Sequence, residues 1–279
     1  MVQKMNNFEN YINNYLNSLK DNQIKDAMIY AMEGGKRFRP RIMFAILKGF
    51  GIDESVAYDC ALALEEIQTY SLIHDDLPAM DNDDMRRGKP SLHKAFREDI
   101  AILTGDQLLT DSFGRISSSK TINAEAKVNI ITAFSEYAGM GGMIYGQLLD
   151  VTNTSESINE EKLFEIQDNK TGGLFKISCL TPMFIAGVDE YDYFVKLGSL
   201  IGQIFQNQDD LFDIIKTQDQ LGKTQSDADN NKGTALTLNT VDELKKIIED
   251  EFNYLINYVK DASFDASYLM EIIQKLKDR

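Results

Sequence analysis

The sequence predicts an all-α protein, and three observations carry this prediction. Apolar residues recur at helical spacing in three long stretches, at 55–74, 193–215 and 241–259. No stretch shows the sustained alternation of apolar and polar residues that marks a strand. Only 4 prolines occur in 279 residues, well below the usual ~5%, which favours uninterrupted helices. No linker or repeat divides the chain, so we expect a single domain over residues 1–279.

Two of these stretches are specific enough to place in the fold. In 241–259 the apolar residues form one stripe, and Thr240 with Glu243 forms a capping box that marks the helix start. The stretch 193–215 is nearly all apolar until its end, which predicts a central helix. Between the apolar stretches, the polar segment 113–129 is expected to be a surface connection.

Charge and cysteine content exclude several classes of protein. Lys and Arg total 29 and Asp and Glu total 44, so the net charge is −15. This excess of acid argues against nucleic-acid binding and against a polybasic membrane anchor. Cys60 and Cys179 lie in apolar helical stretches and are expected to be buried thiols in a cytoplasmic protein. No run approaches the ~20 apolar residues of a membrane span.

Two acidic clusters carry the strongest chemical signal. HDDLPAMDNDDMRRGKP at 74–90 holds five aspartates, and QDDLFD at 208–213 ends the apolar stretch before it. Asp209 and Asp213 are four residues apart, so on a helix they share one face. Such carboxylates repel one another unless cations hold them together. Oxygen donors without His or Cys suit Mg²⁺, which typically also binds water and substrate phosphate.

Either cluster alone also fits a solvated helix end, but two clusters with basic neighbours favour a metal and phosphate site. The basic residues that would clamp a phosphate are Lys36, Arg37, Arg39, Arg86 and Arg87.

The order of these motifs resembles the short-chain trans-isoprenyl diphosphate synthases, most closely the bacterial farnesyl diphosphate synthases. The similarity runs over nearly the whole chain, beginning at GGKRFRP (34–40). The segment at 75–81 matches the first aspartate-rich motif in its bacterial form, followed by RRGKP at 86–90. The segment at 209–213 matches the second motif, DDxxD.

The resemblance implies an all-helical bundle around a deep central cavity. It also implies a prenyltransferase that joins isopentenyl diphosphate to dimethylallyl diphosphate and then to geranyl diphosphate. About three Mg²⁺ ions, or Mn²⁺ ions in their place, would bind the allylic diphosphate. By resemblance, the direct metal ligands are Asp75, Asp81 and Asp209. Further aspartates would bind directly or through water: Asp76, Asp210, Asp213 and, beside Gln147 in GQLLD, Asp150. Homodimerisation is implied by resemblance only.

The other matched residues divide by the group that they would contact. The expected ligands of the allylic diphosphate are Arg86, Lys170, Lys223 and Lys232. The expected ligands of isopentenyl diphosphate are Lys36, Arg39, Gln68 and Arg87. Oxygen atoms are expected to face the allylic cation from Lys170, Thr171 and Gln208. Structural roles are expected for Arg37, His74 and His93.

Product length is predicted from the helix that precedes the first motif. Tyr70 is five residues before Asp75, which is roughly 7.5 Å along a helix axis. Its ring would form a floor beneath the growing prenyl tail, with room above it at Ser71. Relatives with an aromatic residue here tend to stop at farnesyl diphosphate, so we expect that product.

Alternatives to this interpretation remain open at the sequence level. Geranyl or geranylgeranyl diphosphate synthases share the motifs. A non-catalytic partner subunit usually loses one aspartate motif, whereas both are present here. A terpene cyclase normally lacks the GGKRxRP motif that this chain contains. An acidic interaction protein would explain the net charge but not the ordered basic residues. The segment 222–236, a lid in relatives, departs from their pattern with Ser226 in place of Gly. Its closure and the role of Lys232 stay open.

Overall fold

The computed structural model describes residues 2–153, 158–215 and 233–279, with side chains from residue 5 onward. Helices dominate these ranges, which confirms the all-α prediction. In chain order they are α1 (Val2–Ser18), α2 (Gln23–Met32), α3 (Phe38–Gly49), α4 (Tyr58–Asp75), α5 (Leu92–Ala95), α6 (Glu98–Ser118), α7 (Ala124–Ala138), α8 (Met143–Thr152), α9 (Glu160–Lys170), α10 (Gly172–Ala186), α11 (Tyr191–Ile215), α12 (Ala235–Leu238), α13 (Val241–Val259) and α14 (Ser267–Lys277).

A short two-stranded ribbon interrupts the helices after α4. Strands β1 (Met85–Arg86) and β2 (Lys89–Pro90) pair antiparallel. Arg87 and Gly88, the two residues of the turn, both have positive φ, 54° and 76°, as a two-residue hairpin of the tight, right-twisting type requires. A 3₁₀ turn, Glu54–Ala57, leads into α4.

The central helix of the bundle is α10, not the predicted 193–215. Every residue from Gly172 to Met183 is buried, and α10 packs against α3, α4, α7, α8, α9 and α11. Helix α11 contains the predicted stretch, but only part of it is buried, and the buried part includes the polar residues Asn207, Gln208 and Asp210. Other residues of its last turns, such as Gln206 and Asp209, line the cavity described below. The sequence of α10 is shorter and contains Gly and Pro, which concealed its central position.

The surface connection predicted at 113–129 is wrong in extent. Helix α6 continues to Ser118 and α7 starts at Ala124, so the connection spans only 119–123. Polar residues in this segment do not all face solvent, because one of them forms a buried ion pair. Arg115 is buried and forms an ion pair of 2.7 Å with the fully buried Glu66 of α4. A polar residue here fastens two helices together rather than facing solvent.

Other local predictions are confirmed. Thr240 and Glu243 form the capping box at the start of α13, and Cys60 and Cys179 are free, buried thiols. None of the helices within the described ranges combines the length and apolarity that a membrane crossing needs.

Candidate active site

A cavity of about 920 Å³ brings the two aspartate motifs together. Apolar walls come from Leu109, Met143 and Leu174, among others. The aspartates mark the mouth of the cavity, because Asp209 is about a third exposed while Tyr70 and Leu174 are buried. The carboxylates that line it are Asp75, Asp81, Asp83, Asp106, Asp150, Asp209, Asp210 and Asp213.

The first motif turns sharply where α4 ends. The backbone N–H of Asp81 donates to the carbonyl of Asp75 at 2.9 Å, so both residues stay at one edge of the cavity. From α8, Gln147 donates its amide to Asp75 Oδ1 at 2.7 Å. The Gln147 oxygen is buried without a hydrogen-bond partner. This geometry holds the Asp75 carboxylate in one orientation toward the cavity.

Asp76 differs from Asp75, because it lies about 100° further round the helix. Its carboxylate is buried and ion-paired with Arg86, and it is absent from the cavity wall. Asp76 instead orients Arg86, which also contacts Asp83 at 3.2 Å and lines the cavity. The contact of Asp76 with metal, directly or through water, stays a prediction. Burial raises the pKa of Asp76 to about 6, although Arg86 opposes that shift.

Two residues of the predicted isopentenyl diphosphate clamp lie outside the cavity. Arg87, which follows Arg86 at the turn of the hairpin, donates to the carbonyl oxygens of Ala31 and Glu33 at 3.2 and 3.4 Å, where α2 ends. Lys36 is exposed beside the Gly34 turn and precedes α3. Neither side chain lines the cavity, so their contact with substrate stays a prediction.

Arg39 and Gln68, the other two predicted ligands of isopentenyl diphosphate, line the cavity. The Arg39 guanidinium lies 4.4 Å from the centre of the Phe175 ring, and its Nε has no hydrogen-bond partner. Burial lowers the pKa of Arg39 to about 10, against the opposing charge of Glu65 and Asp209, so it remains a cation at neutral pH. The buried Gln68 Oε1 also lacks a hydrogen-bond partner. Arg39 can therefore still donate a hydrogen bond, and Gln68 Oε1 can still accept one.

Arg37 has the structural role expected of it. It is buried and bound to Glu65 at 2.7 Å and to Glu9 at 2.9 Å. Its φ of 52° lies in the left-handed region, so the chain turns there, before α3 presents Arg39 to the cavity.

The second motif lies on α11. Asp209 Oδ1 is paired with Arg279 at 2.7 Å. Asp210 is buried and accepts from Gln206 and from the backbone N–H of Ala235, both at 2.8 Å. Asp210 thus fastens the start of α12 to α11, and Asp213 lines the cavity one turn later.

Gln208, which is predicted to face the allylic cation, lies away from the cavity, and Gln206 lines the cavity instead. Gln208 is buried, donates to the carbonyl of Leu276 at 2.9 Å and does not line the cavity. Gln206 lines the cavity and accepts from Thr171 Oγ1 at 2.7 Å. The signal was in the spacing: Gln206 is three residues before Asp209 and shares its face.

Lys170 and Thr171 line the cavity at the junction of α9 and α10, and their contacts with the substrate stay a prediction. Lys170 Nζ is 2.6 Å from Asp150 Oδ2. Lys170 and Arg279 thus each hold one carboxylate beside the cavity, and Arg86 holds two, Asp76 and Asp83. The contact of Arg279 with Asp209 is not predictable from the sequence, because nothing in the spacing of the chain links Arg279 to the second motif.

Similarity to known proteins agrees with this arrangement of the two aspartate motifs. The family model described as polyprenyl synthetase matches residues 21–273. This chain belongs to the polyprenyl synthetase family. Farnesyl diphosphate synthase of Micrococcus luteus is 36% identical over 261 residues, which cover 92% of this chain and 89% of that protein. The family predicted from the motifs is confirmed.

Two further relatives of this polyprenyl synthetase bear on fold and product. A solved geranyltransferase of Helicobacter pylori, complexed with magnesium and isoprenyl diphosphate, superimposes with a TM-score of 0.85 at 28% identity and covers 98% of this chain and 94% of that chain. The heterodimeric geranylgeranyl pyrophosphate synthase large subunit 1 of Arabidopsis thaliana is 40% identical over 211 residues, which cover 72% of this chain and 57% of that protein.

The donor set of this polyprenyl synthetase fits Mg²⁺ bound together with a phosphate. Within the described ranges, no group of three or more His, Cys, Asp or Glu side chains is arranged to hold a metal ion by itself. The cavity instead offers carboxylates in two separate motifs. Magnesium sites typically add waters and substrate phosphate to one or two carboxylates. Lys223 and Lys232 lie outside the described residues.

Proposed function

We propose that this polyprenyl synthetase is a farnesyl diphosphate synthase. It condenses isopentenyl diphosphate with dimethylallyl and then geranyl diphosphate, with about three Mg²⁺ ions, or Mn²⁺ in their place. One observation carries the proposal: both aspartate motifs, Arg39 and Lys170 line the same cavity, whose wall also contains apolar residues and Tyr70. An anionic head and an apolar tail would both find complementary surface there.

The residues that would hold the metal ions are Asp75, Asp81 and Asp209, with Asp210, Asp213 and Asp150 beside them. When bound, Mg²⁺ supplies positive charge that stabilises the leaving diphosphate. Arg86 and Lys170 contribute further positive charge from the protein. Lys170 Nζ lies 2.6 Å from Asp150 Oδ2, and its other N–H donors can contact a diphosphate.

Residues deeper in the cavity support the carbon chemistry. The side-chain oxygens of Thr171 and Gln206, which share a hydrogen bond, provide negative partial charge beside the allylic carbon as its bond to diphosphate breaks. The apolar side chains of Leu109, Met143 and Leu174 exclude water that would quench the cation. The double bond of isopentenyl diphosphate then forms the new carbon–carbon bond at the allylic carbon, and the released diphosphate accepts the proton that is lost.

Tyr70 favours farnesyl diphosphate over the longer alternative. Its ring is only 6% exposed and lines the cavity one and a half turns before Asp75. A rigid aromatic group at that depth leaves room for a farnesyl tail but not for another five-carbon unit. Geranylgeranyl diphosphate is the second candidate, because the Arabidopsis relative is similar over 72% of the chain.

We also propose that the protein is a cytoplasmic homodimer. The buried free thiols Cys60 and Cys179 suit a reducing compartment. Exposed apolar side chains on α6, α7 and α8, among them Leu103, Val128 and Leu148, would be covered by a second copy. A mass in solution near twice 31.6 kDa supports the dimer, and a monomer at working concentration contradicts it.

Paired substitutions test the catalytic assignment. Asp75→Asn and Asp209→Asn should each lower turnover by about a thousandfold, as expected when charge stabilisation at the reacting centre is lost. Asp84→Asn and Asp192→Asn are matched controls, because both residues are exposed, one in the loop after α4 and one on α11. Near-normal turnover in both site variants would overturn the proposal, as would equal losses in the controls.

A further inference from the structure

His74 lies beside the cavity in contacts that the proposed function does not use. On α4 it follows Tyr70 by four residues, and the two ring centroids are 5.8 Å apart at an angle of 80°. This is the edge-to-face arrangement that aromatic rings prefer. Helical side chains lean toward the N-terminus of the helix, so the imidazole reaches back over the Tyr70 ring.

Helix α6 holds the imidazole from the other side. His74 Nε2 is 3.2 Å from the carbonyl oxygen of Ile102. Because a carbonyl only accepts, this contact requires the proton on Nε2. Gly105 lies three residues after Ile102 on the same face of α6, and a Cβ atom there would overlap the imidazole. The missing side chain of Gly105 therefore creates the notch in which His74 is seated.

These contacts form a continuous series from α6 to the floor of the cavity. Gly105 admits His74, the carbonyl of Ile102 fixes its orientation, and its edge meets the Tyr70 ring. Tyr70 and His74 both line the cavity, whereas Gly105 does not. A Tyr70 ring without this neighbour would be able to turn away from a tail that presses on it.

We propose that His74, seated in the notch at Gly105, is a positioning residue that fixes the Tyr70 ring across the cavity and thereby limits product length. The inference rests on the proposed function, since it concerns the same cavity and the same product. It assigns product length to a unit of three residues on two helices rather than to Tyr70 alone.

Product analysis of four variants tests this role. His74→Ala should raise the ratio of geranylgeranyl to farnesyl diphosphate about fivefold, which corresponds to losing the stabilisation that one aromatic pair provides. His74→Phe keeps a ring against Tyr70 and should restore most of the farnesyl product. Gly105→Ala should displace the imidazole and lengthen the product without altering a residue that lines the cavity. Gly114→Ala, on the same helix with open space around it, is the control and should leave the ratio unchanged.

A double variant separates positioning from an independent effect. Tyr70→Ala with His74→Ala should give no longer product than Tyr70→Ala alone, because the imidazole acts only through the ring. A double variant that makes longer products than Tyr70→Ala alone would overturn the inference. An unchanged ratio of geranylgeranyl to farnesyl diphosphate in both His74→Ala and Gly105→Ala would also overturn it, even if turnover were lower. The wild-type product is measured first: absence of farnesyl diphosphate there contradicts the proposed function, whereas its presence with unchanged variants contradicts only the role of His74.

Discussion

At the scale of single residues, the cavity mouth consists of charges that already have partners. Arg86 lies against Asp76, Lys170 against Asp150, and Arg279 against Asp209. Burial alone would lower the pKa of Arg86, but the carboxylates of Asp76 and Asp83 leave it raised. The cations thus remain charged and in place until a diphosphate and its metal ions arrive.

Tyr70 is the residue whose replacement should change the product most. Tyr70→Ala removes the ring from the cavity, so geranylgeranyl diphosphate should become a major product, detected by chromatography after removal of the phosphates. Tyr254→Ala, at a half-exposed site on α13, should still give farnesyl diphosphate. An unchanged product from Tyr70→Ala would show that another residue forms the floor.

Glu251 should make stability depend on pH. It accepts from Asn207 at 3.0 and 3.1 Å, and burial raises its pKa to about 7 despite those hydrogen bonds. Between its unfolded pKa, about 4.3, and this value, the folded state binds the extra proton. The contribution of Glu251 to stability therefore falls as pH rises through that window.

The comparison with Glu251→Gln isolates this effect. Because the amide does not titrate, the variant should gain about 1 to 3 kcal/mol relative to the wild type between pH 5 and pH 8. Urea unfolding at both pH values measures the difference in free energy of unfolding. A difference that does not vary with pH would refute the shifted pKa.

At the scale of elements, glycines set the distance between α10 and α11. A Cβ atom on Gly198 would meet the Lys176 backbone at 2.5 Å, and one on Gly202 would meet the Gly172 backbone at 2.6 Å. These two residues lie one turn apart on α11, so one face of that helix touches the backbone of α10. The second aspartate motif follows on α11, and its position depends on this close packing.

Gly202→Ala should therefore destabilise the fold and disturb the site. We expect a loss of about 2 kcal/mol in the free energy of unfolding, typical of overpacking, together with lower turnover. Gly114→Ala in α6 has nothing within 4 Å of the new atom and should be neutral or slightly stabilising, because alanine favours helix. Thermal unfolding distinguishes the two, and equal stability of both variants would contradict the packing argument.

The sequence was a good guide to some elements and a poor one to others, for physical reasons. The stripe and capping box of α13 are local signals, and both are confirmed. The polar end of α6 is different, because Arg115 finds its partner Glu66 far along the chain. The same distinction applies at the site: spacing brings Asp209 and Asp213 to one face, but only tertiary packing brings Arg279 to Asp209.

At the scale of the whole molecule, the net charge of −15 is misleading about the substrate. The excess of acid counts against nucleic acid, yet part of it lines the cavity as carboxylates in two motifs. Bound Mg²⁺ would convert that part into a receptor for diphosphate. The arrangement of carboxylates and cations decides the ligand, whereas the overall charge affects solubility.

The most direct test of this account is the product formed from dimethylallyl and isopentenyl diphosphates with Mg²⁺. Purified protein is incubated with both substrates, with and without a chelator, and the chain length of the product is measured. The account predicts farnesyl diphosphate as the main product, and no condensation once the metal is removed. Absence of any condensation product, or geranylgeranyl diphosphate as the main product of the wild-type protein, would contradict it.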